Sequence, residues 1–474
     1  MKSVLFDFGT TTLKISLLNE DYSTCNSLSK KINTYVDGKK ITQRTSEWKE
    51  VFLSSLKKLL ANTKTNKIKF IIGTGQMEDL LFIDNNDNAE DTVTLYNDSY
   101  LENQFLDSEL ESYNNESPNK IDSYTPLIKL LSRKKSNDDF LKARKKIILG
   151  AKDYINFLLT GKSFTDFTNA STTGLFSTIN NHWNINLPKD ILNRLPEIIS
   201  PSSIIGKLKK EFIEYLELSN VPEVINGIGD AGASTLGAEL KKNGETYIYL
   251  GTTGWIATLS NKFEKSKDFF NLSGPFENQW QKIGPLLNAG NIFDWAMKNF
   301  LKTDNYNLAN KVIKEKRMTD VLSWPYLNGE RSPKKNPDVR GAISGISQKT
   351  DSKDLFVSFV RSIAFSLRFI SEEMNIEENE GFNLIGGLSN SSSWVQMLSD
   401  ILRRNITVLS SGQSGPQYGL IKIIQRIEDK EFRNENKNTI YNPFNSSFDF
   451  LYKKYKVFAE DLLKNQTSCP AYII

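Results

Sequence analysis

An α/β fold built from two related halves is predicted by three features of the sequence. Short strand-like runs alternate with helical patterns in both halves. The turn Gly-Thr-Thr occurs twice, at Gly9-Thr10-Thr11 and Gly251-Thr252-Thr253, about half of the 474-residue chain apart. Each copy lies between two strand-like runs, residues 4–8 with 13–17 and 247–250 with 255–259. A chain of this length usually forms two or three domains, each large enough for a full core.

Along the first half, the opening hairpin is followed by an amphipathic helix near residues 46–61, with Trp48, Val51, Leu56, Leu59 and Leu60 on one face. A buried strand at 68–72 then runs into Gly73-Thr74-Gly75-Gln76-Met77. Residues 84–123 are polar and acidic and read as loop-rich and partly mobile. The start of that stretch, Asp84-Asn85-Asn86-Asp87-Asn88, resembles a calcium loop, but Ala89 and Leu95 replace the glycine and glutamate such a loop requires. It therefore reads as a solvated turn. The pattern breaks at 240–245, which places a domain boundary between residues 1–240 and 241–474. The second half adds a long helix near 353–374, a strand at 382–385 ending in Gly386-Gly387, and a helix from about Trp394 to Arg403.

Composition narrows the function. A net charge of +4 from 60 basic and 56 acidic residues, with the basic ones scattered, argues against a nucleic-acid partner. No apolar run approaches the ~18–20 residues of a membrane span. The N-terminus enters a strand at once, with no basic and apolar leader, so a cytoplasmic location is expected. The two cysteines, Cys25 and Cys469, have no metal-site spacing and form no disulfide framework. A single histidine, His182, sits in a polar stretch. It excludes multi-histidine zinc sites and disfavours a Ser-His-Asp triad. An enzyme built on this chain would use a carboxylate as its general base.

Residues 224–237 contain Gly227, Gly229 and Gly232 in the spacing G-x-G-x-x-G, after a strand and before a helix. A dinucleotide site also wants an acidic residue about 20 positions on, at the end of the next strand. Here that strand ends at Leu250 and runs into Gly-Thr-Thr. The distinctive residue is Asp230, among small neighbours at a helix start, where the dipole favours an ionised carboxylate. Such a carboxylate could cap the helix, or accept a proton from an attacking alcohol in phosphoryl transfer.

Taken together, these segments resemble the FGGY family of carbohydrate kinases through nearly the whole chain. Asp7-Phe8-Gly9-Thr10-Thr11 with Lys14 is similar to the family's first phosphate motif, and Gly251-Thr252-Thr253-Gly254 to its second. Gly229-Asp230 with Gly237 resembles the catalytic-aspartate segment. Residues 325–333, then Asn336-Pro337 and Arg340-Gly341, resemble a long family segment. Gly386-Gly387, Asn390, Trp394, Gln396, Asp400 and Leu402 resemble its adenosine side, and Asp153-Tyr154 with Leu159-Thr160-Gly161 and Ala170-Ser171 fits its first domain.

The resemblance implies duplicated actin-like (ribonuclease-H-like) domains with an ATP cleft between them, and the cofactors ATP and Mg2+. It implies Asp230 as the base and a contact to substrate and metal, and Asp7 as the metal carboxylate. Gly9, Thr10, Thr11, Lys14, Gly251, Thr252 and Thr253 would meet phosphates, and Gly386, Gly387 and Asn390 the adenosine. Its partners would be a sugar or polyol and ATP; a homodimer is compatible with the family, although no segment supplies an interface pattern.

For the substrate, Gln76, Met77 and Glu78 stand where xylulokinases usually carry Gln-Met-His and glycerol kinases Gln-Arg-Glu. The family's Trp-x-Asp-x-Arg is Tyr96-Asn97-Asp98-Ser99-Tyr100 here, and Asn97 with Asp98 would suit vicinal hydroxyls. Gly415-Pro416 and Gly419 resemble the xylulokinase branch. A neutral sugar or polyol is expected, because Glu78 and Asp98 would repel a sugar acid. The alternatives are glycerol, another ketose, a deoxy-ketose or gluconate, an actin-like ATPase, or a catalytically silent sugar-binding relative.

Overall fold

The computed structural model describes residues 1–100, 105–240, 242–266, 268–276, 278–316, 318–377, 381–409, 415–430, 438–444 and 447–464. Lys241, at the expected domain boundary, and Cys469 lie outside them. Two large sheets have the same strand order and directions. In the first, Lys2–Phe8 pairs antiparallel with Thr12–Leu18, which pairs with Thr24–Lys31. On its other side lie the parallel strands Ile68–Gly75 and Glu223–Ile225, then the antiparallel Ile204–Lys207. In the second, Thr246–Leu250 pairs antiparallel with Gly254–Ser260, then Trp280–Leu286 follows. Its other side holds parallel Phe382–Ile385 and Ile406–Val408, then antiparallel Thr439–Tyr441. The second sheet adds one edge strand, Phe270–Ser273. The fold is a duplicated α/β one, as the repeated turn predicts.

Alternation along the first strand sets its two faces. Val4, Phe6 and Phe8 pack with Trp48 and Phe52 of the helix Thr45–Asn62, while Leu5 joins a separate cluster on the opposite face. Asp7 shares Leu5's face because side chains alternate with period two. The expected strand at 68–72 is longer, Ile68–Gly75, and its glycines are internal to it. A Cβ on Gly73 would lie 1.9 Å from Phe6 Cζ, so glycine is there to seat that ring.

The 84–123 stretch is more ordered than its composition predicts. It contains the strand Thr92–Thr94 and the helix Asp107–Glu116, whose Leu110 is buried; residues 101–104 lie outside the described set. Asp84 does form a solvated turn, accepting from the Asn86 and Asn88 N–H groups at 2.8 Å. The helices expected near 353–374 and 394–403 are Ser352–Glu373 and Ser392–Leu402. His182 and Cys25 are exposed. Among the described residues, no helix is long and apolar enough to cross a membrane.

The two halves interlock. Helix Asp230–Gly237 follows the second parallel strand of the first sheet, and helix Gly415–Glu428 the corresponding strand of the second. These equivalent helices pack on each other with backbone nearly touching. A Cβ on Gly237 would be 1.8 Å from the Gly415 carbonyl oxygen, and one on Gly419 2.0 Å from that of Ala233. Although it lies in the second half of the sequence, Gly415–Glu428 buries Leu420, Ile423 and Ile424 against Leu5, Phe70 and Ile72 of the first sheet.

Candidate active site

The first phosphate-type hairpin is closed by the Gly9 N–H donating to the Thr12 carbonyl at 3.1 Å. Asp7 and Lys14 are opposite each other in its register. Thr11 and Lys14 are exposed, while Asp7, Gly9 and Thr10 are half-buried. Burial raises the Asp7 carboxyl above its usual range, partly offset by the Lys14 charge. Asp7 stands at the C-terminal end of its parallel strand, where open α/β sheets bind ligands.

Asp230 is the first residue of the helix Asp230–Gly237, with Gly229 as the cap. Its Oδ1 accepts from the Ala231 N–H at 2.8 Å. Burial first and then the Asp7 charge push Asp230 up to about 7, against the Ala231 N–H, which pulls it down. Two carboxylates separated by more than 200 residues in sequence therefore share one electrostatic site. The glycines of the G-x-G-x-x-G segment face protein rather than a cofactor. A Cβ on Gly227 would be 2.0 Å from the Gly73 carbonyl oxygen, and one on Gly232 2.4 Å from Ile228 Cδ1.

The segment expected to meet substrate converges on this helix. Met77 packs its sulfur against Gly229, where a Cβ would be 2.6 Å away. Glu78 has a backbone φ of 63°, the left-handed region that a glutamate enters only at a cost. Burial pushes Glu78 up to about 7, against the charge of Lys129 and a hydrogen bond from Thr172. Gln76 is 3% exposed, and its Oε1 has no hydrogen-bond partner; Asn97 Oδ1 and Asp79 Oδ2 are likewise buried and unpaired. Orphaned buried acceptors clustered beside a candidate base are what a hydroxylated ligand would satisfy.

Asp98 plays a different part from the one expected. It is 2% exposed, and its two oxygens accept from the Ile41 N–H at 2.7 Å and the Tyr100 N–H at 3.2 Å. Its carboxylate holds the loop's own backbone.

Several contributing residues were not legible in sequence. Lys129 is buried, donates to the Leu95 carbonyl at 2.7 Å, and is lowered to about 8 by burial against the pull of Glu78, Asp98 and Asp79. Its flanks, Leu127-Ile128 and Leu130-Leu131, were the available signal of a buried lysine. Arg331, from the second half, acts electrostatically on Glu78 and on Tyr96, whose hydroxyl interacts with the Thr10 side chain.

Gln43 connects the two binding regions. Its Nε2 donates to the Thr10 carbonyl at 2.7 Å and Thr34 Oγ1 at 2.8 Å, while its Oε1 accepts from Trp48 Nε1 at 2.8 Å and Gln76 Nε2 at 3.1 Å. Gln43→Leu is expected to strand buried donors at a cost of about 1–3 kcal/mol each. Melting temperature should fall and the sugar KM rise by roughly tenfold, the equivalent of ~1.4 kcal/mol. An unchanged sugar KM would show that Gln76 needs no such anchor.

The second turn is one residue shorter than the first and has different chemistry. The Gly251 N–H donates to the Thr253 carbonyl at 2.9 Å, and Thr252 and Thr253 are exposed. Where the first hairpin has Asp7 and Lys14, this one pairs Tyr249 with Trp255, their rings stacked 4.1 Å apart. The Gly290 and Asn291 N–H groups brace it by donating to the Gly251 and Thr252 carbonyls at 3.1 and 2.9 Å. Just before them, Asn288 donates to Glu330 at 3.0 Å. Gly386 abuts the turn with φ 103°, and a Cβ there would be 2.3 Å from the Leu250 carbonyl oxygen. Gly387 is exposed with open space above it, and Asn390 Nδ2 donates to its carbonyl at 3.1 Å.

The N-terminal domain of the FGGY family of carbohydrate kinases matches residues 3–237, and its C-terminal domain matches 246–422. A xylulose kinase of Staphylococcus xylosus is 28% identical over 440 residues, covering 88% of this chain and 89% of that protein. A ligand-bound xylulose kinase structure from Lactobacillus acidophilus superposes with a TM-score of 0.86 at 21% identity, covering 98% and 99% of the two chains. A gluconate kinase from the same organism gives 0.84 at 21% identity with the same coverage. At these identities the structural likeness speaks for the fold. The family matches span both sheets and both Gly-Thr-Thr turns, and the chain belongs to the FGGY family of carbohydrate kinases, which use ATP.

Proposed function

We propose that this kinase transfers the γ-phosphoryl group of ATP to a hydroxyl of xylulose or a closely related neutral ketose. The observation that carries the chemistry is the half-buried Asp230 carboxylate coupled electrostatically to Asp7, with Met77 packed against the preceding residue. Asp230 takes the proton from the sugar hydroxyl as its oxygen attacks the γ-phosphorus, and ADP leaves. A pKa brought near 7 by burial suits a general base at neutral pH. Thr10, Thr11, Lys14, Thr252 and Thr253 hold the phosphates through exposed hydroxyls, turn amides and one ammonium. Gly387, open above its Cα, lets the adenosine approach, with Asn390 at its edge, and Gly386 seats that turn against the Leu250 backbone. Gln76, Glu78 and Asn97 orient the sugar, and Lys129 and Arg331 balance the acidic charge around it.

Asp7 and Asp230 also fit a magnesium ion. They are two hard carboxylates that repel each other, and magnesium usually takes one or two protein carboxylates plus water and phosphate oxygens. When bound, the ion neutralises charge on the phosphates.

For the substrate, the support is the named activity of the Staphylococcus xylosus relative. The charge argument for a neutral sugar is weaker than the sequence alone suggests. Asp98 is engaged by backbone, and Lys129 and Arg331 offset Glu78. Gluconate is therefore the second reading. A panel of ketoses, aldoses, polyols and sugar acids in an ADP-release assay tests both, with a neutral ketose expected to give the highest kcat/KM. Preferred turnover of gluconate would overturn the ketose reading and leave the kinase in place. ATP hydrolysis indifferent to every sugar would instead favour an actin-like ATPase.

A further inference from the structure

A buried ion cluster lies beneath the turn that carries Asp230. Lys152 Nζ is 2.6 Å from Asp153 Oδ1 and 3.3 Å from Asp166 Oδ2, and the three side chains are 2%, 0% and 0% exposed. Burying ions this deeply is costly, and apolar residues of similar volume often give a more stable protein. What the cluster grips accounts for its presence. Asp166 Oδ2 accepts from the Gly229 N–H at 3.1 Å, the residue directly before Asp230, while its Oδ1 accepts from the Asn169 N–H at 3.1 Å. Lys152 Nζ donates to the Asn226 carbonyl at 3.2 Å, and Asn156 Nδ2 to the same oxygen at 2.7 Å. Both ends of the turn 226–229 are thus held by charged or amide side chains. Between them, Gly227 has φ 71° and sits where a Cβ would be 2.0 Å from the Gly73 carbonyl oxygen. The helix carrying Lys152 and Asp153 begins at Ala151, whose N–H donates to the Gln76 carbonyl at 3.3 Å. One rigid unit therefore touches both the sugar-facing segment and the residue before Asp230.

We propose that Lys152 and Asp166 are positioning residues that fix the distance between the Asp230 carboxylate and the bound sugar hydroxyl. The inference rests on the reading of Asp230 as the base. Misplacing a reacting group by ~1 Å can cost about 10²-fold in rate, without a matching loss of ground-state binding.

The test uses Asp166→Asn, which keeps the shape and an acceptor for Gly229, and Lys152→Met, which removes the cation. Each should lower kcat by roughly 10–100-fold, with sugar KM and ATP Kd within about threefold of wild type. The paired variant Lys152→Met/Asp166→Asn removes the cation and one of its two anions, leaving only Asp153, which Asn169 Nδ2 holds at 2.9 Å; it should behave alike, which keeps the question open to measurement if a single variant fails to fold. Asp166→Asn is also combined with Asp230→Asn. If Asp166 acts through Asp230, it costs the residual rate of Asp230→Asn nothing further. Multiplicative losses in that double variant, or full kcat in the folded paired variant, would overturn the inference while leaving the base assignment intact. Near-normal turnover by Asp230→Asn alone would overturn the base assignment and this inference with it.

Discussion

Asp230→Ala is expected to lower kcat by at least the ~10²–10⁴-fold that general-base catalysis contributes, while calorimetry still detects ATP binding. In the proposed reaction the phosphates are held by the two Gly-Thr-Thr turns and Lys14, none of which the substitution touches. Near-normal sugar phosphorylation by this variant would falsify the assignment. The same residue should show a pH-dependent effect on stability. In the folded protein burial raises its pKa from an ordinary 3.8 to about 7, so the unfolded chain ionises at lower pH than the folded one. Stability from this group is therefore fully present below about pH 4 and is lost as pH rises through about 7. Asp230→Asn should accordingly raise the melting temperature of the ligand-free enzyme more at pH 8 than at pH 5. An equal gain at both pH values would mean that the carboxyl is not buried as described. Sites that perform chemistry are often strained in this way.

Gly419→Ala should produce the largest structural effect. Its added methyl would be 2.0 Å from the Ala233 carbonyl oxygen, and the obstruction is backbone, which cannot swing aside as a side chain does. The two packed helices must separate, at a cost of about 1–3 kcal/mol or more for an overpacked contact. Because Asp230 is the first residue of one of those helices, kcat should fall together with the melting temperature. Gly387→Ala is the stability control, since nothing lies within 4 Å of a Cβ at that position. A melting temperature unchanged in Gly419→Ala would show that the helices have room to move apart.

How much of the site was legible depended on how local its causes are. The two hairpins were readable because a glycine turn between alternating strands is specified by neighbouring residues. Asp7 and Asp230 stood out as candidates because a carboxylate beside small residues at a strand end or helix start is a local pattern. The structural part of Asp98 was not legible for the same reason: its sequence neighbours suit hydroxyl recognition, while the Ile41 N–H that donates to its carboxylate lies 57 positions away. Gln43 and Lys129 carried no usable signal of site membership, and Arg331 stood out only as part of the family-like stretch 325–333, with no role attached. Each reaches the site from an element whose own sequence says nothing of where it will dock. The segment 84–123 was read as loop-rich from its polarity, yet one buried leucine in ten residues is enough to dock the helix Asp107–Glu116.

The sequence by itself determined that the chain is duplicated and which family it belongs to, and its single histidine pointed to the carboxylates for a base. Period-two alternation, glycine turns and a single histidine are one-dimensional facts. Only the tertiary structure set Asp7 opposite Lys14 across one hairpin and stacked Tyr249 on Trp255 in the other. It alone decided that Asp7 and Asp230 share a site, and that Lys129 and Arg331 moderate the acidic charge beside them. The physical reason is that burial and Coulomb energy depend on distance through space and on exclusion of water, and neither is a function of separation along the chain.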